Sequence, residues 1–395
     1  MGSVVEQTLL IRVTGIDQPG ITAGILRILA EARAEVLDME QVVVRDRLNL
    51  GLLIAVAEEQ APLKDLLFFG WERNLHFDFE VVDPPEDLPA PSRFAVTVIG
   101  ARLGPEALGG VADAIADGGG NIERIVRLSN YPVISYELIV MGGHTDTMRK
   151  GLLEASSLHQ VDIALQREGL ARRAKRLVVI DMDSTLIRDE AIDLLADEVG
   201  NGAEVRSITE ATMSGRHDFE SALRDRVSRL AGMDVARLNA VASRIRYTPG
   251  ARTFARTLRR LGYRTALVSG GFDVFAEEVR RHLGIDIAHA NSLEVADGRL
   301  TGRLVGDVLD GPAKARLLEE IAAAEGIPLE QTVAVGDGSN DLEMLAKAGL
   351  GIAFNAKPVV DAAADTTLKV PYLDAILFVL GIRRQDIEAA DRTDG

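Results

Sequence analysis

Polar and apolar positions alternate near the front of the chain in a plan that is used twice. The run from Thr8 to Gly15 has the β-branched, extended character of a strand. Asp17, Pro19 and Gly20 then form a turn that opens a helix, with Ile21, Ile25, Ile28 and Leu29 along its apolar stripe. Two further strands are predicted at 36–44 and 50–56. About 85 residues later the plan returns. A strand runs from Phe94 to Gly100, a helix passes through Gly110, and strands begin at Asn121 and Ser135. Between the copies, Pro84, Pro85, Pro89 and Pro91 predict a stiff linker.

The rest of the chain is patterned differently. The segments 177–180, 265–268 and 332–336 are apolar at nearly every position, as strands covered on both faces are. Each runs into a polar cluster: Asp181 and Asp183 after the first, Ser269 and Gly270 after the second, Asp337 to Asp341 after the third. Lys314 follows Gly311 and Pro312 at the predicted start of a helix. In an open parallel sheet, ligands bind beyond the carboxyl ends of the strands, so these clusters are expected to converge. Roughly eighty residues separate Asp183 from Ser269, far more than one crossover needs. Apolar residues at helical spacing from 191 and again from 219 predict a helical cap over about 190–246. A hairpin is predicted at 292–302, turned on Asp297 and Gly298.

The expected organisation is therefore 1–84, a linker at 85–92, a second copy at 93–166, a basic linker at 167–176 and a catalytic domain at 177–383. The charged tail 384–395 is expected to fray.

Asp181 and Asp183 lie two apart at a strand end, so they start on the same side. Burying two like charges is costly unless a cation sits with them. Alone, such a pair is equally well a solvated turn; the ordered appearance of Ser269, Lys314 and Asp337 downstream argues for a site.

This ordered set resembles the haloacid dehalogenase superfamily of phosphotransferases over 177–380. Glu190, the segment Gly215 to Glu220 and Arg226 extend the likeness to the phosphoserine phosphatase family. The implied fold is α/β: a Rossmann-like catalytic domain with a helical cap. Its chemistry would use Asp181 as nucleophile, forming an aspartyl-phosphate. Asp183 would be general acid and then base. Mg²⁺ would be held by Asp181, the backbone carbonyl of Asp183, and Asp337. Lys314, Ser269, Gly270 and Asn340 would serve the phosphoryl group, and Asp341 would orient Lys314 or a metal-bound water. The resemblance further implies that Glu190 holds the ammonium of O-phospho-L-serine, Arg226 its carboxylate, and Met213 and Phe219 an apolar wall. Two other readings use the same residues: hydrolysis of another small phosphate ester, and a non-catalytic amino-acid sensor. Every expected catalytic group is present, which argues against the sensor.

The two front copies each resemble an ACT domain, a ferredoxin-like βαββαβ module that binds amino acids. The resemblance implies a homodimer through these modules and an amino-acid effector contacted by Asp17, Gly20 and Gly110. The second copy, with Ala101 to Pro105 in place of the Asp17 turn, departs from the pattern.

Composition narrows the partners. A net charge of −16 disfavours nucleic acid. No run of uncharged apolar residues is long enough for a membrane span, and the N-terminus lacks a leader pattern. Cysteine is absent, which removes thiol chemistry. A small cytoplasmic metabolite is the expected substrate class.

Overall fold

The computed structural model describes residues 6–58, 61–84, 91–213, 219–361 and 364–393. The chain forms two units, 1–90 and 91–395.

In the first unit, β1 (Glu6–Ile16), β2 (Glu35–Val44), β3 (Arg47–Ala57) and β4 (Leu75–Val82) form an antiparallel sheet in the order β2-β3-β1-β4. Alternate residues Leu48, Leu50, Leu52 and Ile54 of β3 point into a core with Ile11, Val13, Ile21, Ile25 and Leu66. Helices Ile21–Glu31 and Leu63–Arg73 supply the last three of these. Gly20 adopts φ 92° just before the first helix, a left-handed conformation that glycine takes without strain. Every residue of β2 is exposed, including Val36, Met39, Val42 and Val44. This strand is an open, apolar sheet edge.

The second unit begins with the same plan. β5 (Arg93–Gly100), β6 (Gly120–Ser129), β7 (Ile134–Gly142) and β8 (Asp162–Arg167) take the order β8-β5-β7-β6, which mirrors β4-β1-β3-β2. Helices Pro105–Asp117 and Thr145–His159 cover it.

The remaining strands are β9 (Leu177–Ile180), β10 (Arg264–Phe272), β11 (Ile287–Ala296), β12 (Arg299–Val305), β13 (Thr332–Gly336), β14 (Gly351–Phe354) and β15 (Thr366–Leu368). They take the order β12-β11-β10-β9-β13-β14-β15, with β11 to β15 parallel along the series apart from the antiparallel β12. β9 and β13 lie at its centre and are buried along their whole length, as their unbroken apolar runs require. The β11–β12 hairpin turns on Asp297 and Gly298, both at positive φ, as a two-residue hairpin turn requires. Between β9 and β10 the chain inserts helices Ala191–Glu198, Gly202–Met213, Phe219–Ser228 and Val235–Ala242.

The expectation for the tail is corrected, and the segment 167–176 contains a short helix, Leu170–Arg173. There Arg172 bonds Glu168 at 2.9 Å and also pairs with Glu137. The charged tail does not fray through its described part. It forms helix Arg384–Thr393, in which Ile387 is buried, Arg384 reaches Asp374 at 2.8 Å, and Asp391 pairs with Arg256 and Arg260. Composition registered the charges but not their partners, which come from distant segments.

The sheet of the second copy also joins the sheet behind it. Thr366 of β15 pairs with Ala164 of β8, making an eleven-stranded sheet. Asp162 secures the seam by accepting the backbone N–H groups of Lys369 at 2.8 Å and Val370 at 3.0 Å. Burial pushes the Asp162 carboxyl up to about 6, against the pull of those two hydrogen bonds. A folded value above the ordinary 3.8 means that the folded state holds the proton more tightly. Its contribution to stability is therefore present below about pH 4 and lost as pH rises through about 6. Asp162→Asn should flatten that part of the pH–stability curve relative to the parent, measured by denaturant unfolding from pH 4 to 8. Asp162→Ala leaves two N–H groups unpaired and should cost about 1–3 kcal/mol. Unchanged stability in the alanine variant would show that Asp162 does not hold the seam.

Candidate active site

The site forms where three chain segments leave the carboxyl ends of β9, β10 and β13. Asp181 is still held by the sheet, through its N–H to Val335 O at 2.9 Å. The chain then folds back on itself: Ser184 sits at φ 57°, and Ile187 N donates to Met182 O at 3.0 Å. This tight turn returns the Asp183 carboxylate toward Asp181. One Asp183 oxygen accepts the N–H of Ala191, first residue of the inserted helices, at 2.9 Å; the other lies 3.5 Å from Ser269 Oγ. Ser184 Oγ donates to Glu190 at 2.9 Å, and Thr185 Oγ1 donates to Asp337 at 3.2 Å.

Lys314 occupies the first turn of helix Gly311–Ala324, which is capped by Asp310 accepting from Ala313 N at 2.9 Å. Its side chain is wholly buried, and Nζ donates to Asp181 Oδ1 and Asp341 Oδ1, each at 2.7 Å. The second oxygen of Asp341 accepts the N–H groups of Asp337 at 3.1 Å and Gly338 at 3.0 Å. Gly336 makes room for this, since a Cβ there would fall 2.4 Å from Asp341 Cγ.

Electrostatically the pocket is over-acidic. Burial, then the charge of Asp341, pushes Asp181 up to about 7 against the pull of Lys314. Burial raises Asp183 well above the usual carboxylate range, with Glu190 and Asp181 adding to it. Asp337 is raised by burial, Asp181 and Asp341, and is lowered only by Lys357 among its main influences. Burial alone would lower Lys314, but Asp181 and Asp341 outweigh it and hold the ammonium charged.

Such a cluster is suited to a divalent cation. Asp181, Asp337 and Asp341 offer oxygens within 4.8 Å of one another. Asp341 is already committed at both oxygens, whereas Lys314 takes only Oδ1 of Asp181, so Asp181 and Asp337 are the better ligands. The Asp183 side chain is engaged by Ala191 and Ser269 instead, which suits an acid better than a ligand.

The resulting pocket has a volume of about 120 Å³. Asp181, Asp183, Glu190, Arg226, Gly270, Asp337 and Asn340 all face it. Ser269, Lys314 and Asp341 are buried behind that surface. Arg226 is itself buried; desolvation lowers its pKa, and Glu190, Asp193 and Asp183 oppose that shift. The side chains of Met213 and Phe219, expected to form the apolar wall, lie outside the described residues, as does 215–218 of the motif carrying them.

Sequence reasoning missed several lining residues. Ile192 and Leu223 supply apolar surface from the inserted helices, and the helical stripes that predicted those helices could have nominated them. Gly271 is the glycine under steric demand: a Cβ there would lie 2.5 Å from Asp183 Oδ2. Lys357, in a loop before Pro358, carries no motif signal.

The proposed effector residues fare unequally. Asp17 is exposed, with its N–H donating to Asp46 O at 2.8 Å, and Gly20 turns the chain into the helix. Gly110 lies inside helix Pro105–Asp117, where a Cβ would fall 2.6 Å from His159 Nε2. The counterpart of Gly20 is Gly104, which caps that helix.

Comparison with known proteins gives a consistent result. The family model for haloacid dehalogenase-like hydrolase matches residues 178–346, and ACT domain models match 7–80 and 92–166. A phosphoserine phosphatase of Streptomyces coelicolor is 48% identical over 97% of this chain and 94% of its own. One from Mycobacterium tuberculosis is 44% identical over 98% and 96%. Among solved structures, a phospho-aspartyl intermediate analogue of phosphoserine phosphatase is 46% identical, with TM-score 0.50 over 52% of this chain and 98% of that one. A haloacid dehalogenase family hydrolase from Salmonella enterica serovar Typhi superposes with TM-score 0.65 at 27% identity, over 73% of this chain and 98% of its own.

The Lys314 clamp generates a stability prediction. Lys314→Met removes the ammonium held between two buried carboxylates, and breaking such a buried pair costs about 3–5 kcal/mol. Denaturant unfolding of the variant at neutral pH measures this. A loss under about 1 kcal/mol would mean that the carboxylates find other compensation.

Proposed function

This chain belongs to the phosphoserine phosphatases of the haloacid dehalogenase-like hydrolases and carries two ACT domains, and from that premise we propose that it cleaves O-phospho-L-serine through a phosphoryl group carried on Asp181. The observation that carries the mechanism is the pairing of Asp181 with Asp183 in one pocket, one gripped by Lys314 and the other by Ala191 N and Ser269. Lys314 opposes the protonation of Asp181 and fixes its carboxylate in position, ready to attack phosphorus. As the bond from phosphorus to the serine oxygen breaks, Asp183, whose surroundings favour the proton-bearing form, delivers that proton to the leaving oxygen. Asp183 then takes a proton from water, which attacks phosphorus and releases Asp181 and inorganic phosphate. Mg²⁺, held by Asp181, Asp337 and the Asp183 carbonyl, would neutralise the phosphoryl oxygens as a Lewis acid when bound.

Specificity comes from the inserted helices. Glu190 suits the substrate ammonium and Arg226 its carboxylate, an arrangement matched to an α-amino acid head. Ser269 and Gly270 flank the phosphoryl position from β10, and Asn340 does so from β13. The product, L-serine, places the reaction at the end of serine biosynthesis, with the cytoplasm as its setting.

The ACT domains supply regulation in this reading. An amino acid, L-serine first, would bind at the Asp17–Gly20 turn. Two copies of the chain would associate through the exposed edge of β2, whose apolar side chains and unpaired backbone suit antiparallel pairing.

Phosphate release should be strong with phosphoserine, weak with phosphothreonine and sugar phosphates, and abolished by chelation or by Asp181→Asn. Equal rates across these esters would sink the substrate assignment. Arg226→Ala should raise KM for phosphoserine by the equivalent of about 1.5–3 kcal/mol, the worth of a hydrogen bond to a charged group. L-serine should inhibit the parent and bind by calorimetry, with both effects weakened in Asp17→Ala; failure of both in the parent removes the regulatory reading.

A further inference from the structure

The carboxylates of the pocket are faced by cations from more than one direction. Asp181, Asp183, Glu190 and Asp337 face the cavity, against which the inserted helices set only Arg226. A second cation faces the same space, and it enters from the opposite side, beyond β14. This is Lys357.

Its backbone is fixed in three ways. β14 ends at Phe354, and Asn355 at φ 46° turns the chain back across the end of the sheet. Lys357 N donates to Asp337 O at 3.3 Å, which ties the loop to the tip of β13. Pro358 then restricts Lys357 to extended conformations and opens a short helix whose Val360 and Asp361 N–H groups donate to Lys357 O at 2.9 and 3.1 Å. The side chain therefore leaves from a defined point beside Asp337, Gly338, Ser339 and Asn340.

Among the described residues, Lys357 makes no ion pair and no side-chain hydrogen bond, unlike the fully buried Lys314. Its side chain nonetheless reaches the site, because it lines the same cavity as Asp181, Asp337 and Asn340. A half-buried ammonium that faces four carboxylates without pairing to any is placed to meet an anion arriving from solvent. Phosphoserine brings two anionic groups. Its carboxylate lies toward Arg226 on the inserted helices, and its phosphoryl group lies toward Asp181 at the sheet end. Lys357 stands on the sheet side.

We propose that Lys357 is a substrate-binding residue that donates from Nζ to a non-bridging phosphoryl oxygen. The assignment rests on the phosphoserine reading and adds a contact to it. Lys314 sits behind Asp181 and is held by two carboxylates, so it acts chiefly on the nucleophile. Lys357 meets the dianion as it arrives and again as inorganic phosphate leaves. Its loss should therefore weaken capture of any phosphate-bearing ligand, with or without an amino-acid head.

The test uses the full-length protein with saturating metal. Lys357→Met keeps the stem of the side chain and removes the charge. KM for phosphoserine and the inhibition constant of inorganic phosphate should both rise roughly ten-fold, as loss of one charge-assisted hydrogen bond gives. Lys357→Arg should restore both to within about three-fold of the parent, since it keeps the charge. Inorganic phosphate lacks a carboxylate, so its response separates a phosphoryl contact from a second carboxylate anchor. A phosphate inhibition constant unchanged in Lys357→Met overturns the proposal. So does a shift confined to the metal concentration needed for half-maximal activity, because that would place Lys357 as a support for Asp337. If the parent itself fails to hydrolyse phosphoserine, the underlying reading falls instead.

Discussion

An ammonium with no access to water, held between two carboxylates, is the constraint on which the rest of the site depends. Lys314 cannot be buried alone, because the cost of desolvating an isolated charge far exceeds what packing returns. It must have Asp181 and Asp341 within hydrogen-bond reach, and they need it for the same reason. That mutual requirement pins together the end of β9, the first turn of helix Gly311–Ala324 and the loop after β13, which are far apart in the chain. Asp341 extends the lock by taking two backbone N–H groups, so the loop that presents Asp337 is held as well. A nucleophile fixed in this way needs little reorganisation when substrate arrives.

The sheet and its insertion divide the labour. The strand ends supply the groups that handle phosphorus, and the inserted helices supply Glu190, Arg226, Ile192 and Leu223 around the remainder of the pocket. The two parts are linked at Asp183, which accepts from the first residue of the insertion, and at Ser184, which donates to Glu190. The residue proposed as proton donor is thus oriented partly by the element that selects the substrate. Asp181 and Asp183 differ because their surroundings differ: one faces an ammonium, the other a backbone N–H, a serine hydroxyl and a nearby Glu190.

The two ACT copies show how one fold can be put to unlike uses through its edges. Both have the same strand order, and in both the sheet packs helices on one face. In the second, β8 is paired with β15 and anchored by Asp162, so that edge is consumed by the catalytic sheet. In the first, β2 leaves an apolar edge open along its whole length. Backbone groups on an edge strand demand partners, and which partner they find depends on the neighbours that tertiary structure provides.

The strands at 177–180 and 332–336, the repeat, the inserted helices and the cluster Asp181, Asp183, Lys314 and Asp337 were legible in the chain, because each rests on local periodicity or on residues bunched at a strand end. Hydrophobic pattern and turn chemistry act over a few residues, and a linear reading captures them. Glu190 and Arg226 needed a family likeness to stand out from ordinary charged helix faces. What only the fold decided depends on contacts across long stretches of chain. The tail helix is ordered because Arg256 and Arg260 meet Asp391. His159 lies against Gly110, and Gly271 bears the steric demand because Asp183 turns back toward it. Lys357 is a single lysine in a loop without pattern, and it became a feature of the site only when β14 brought that loop over the end of β13.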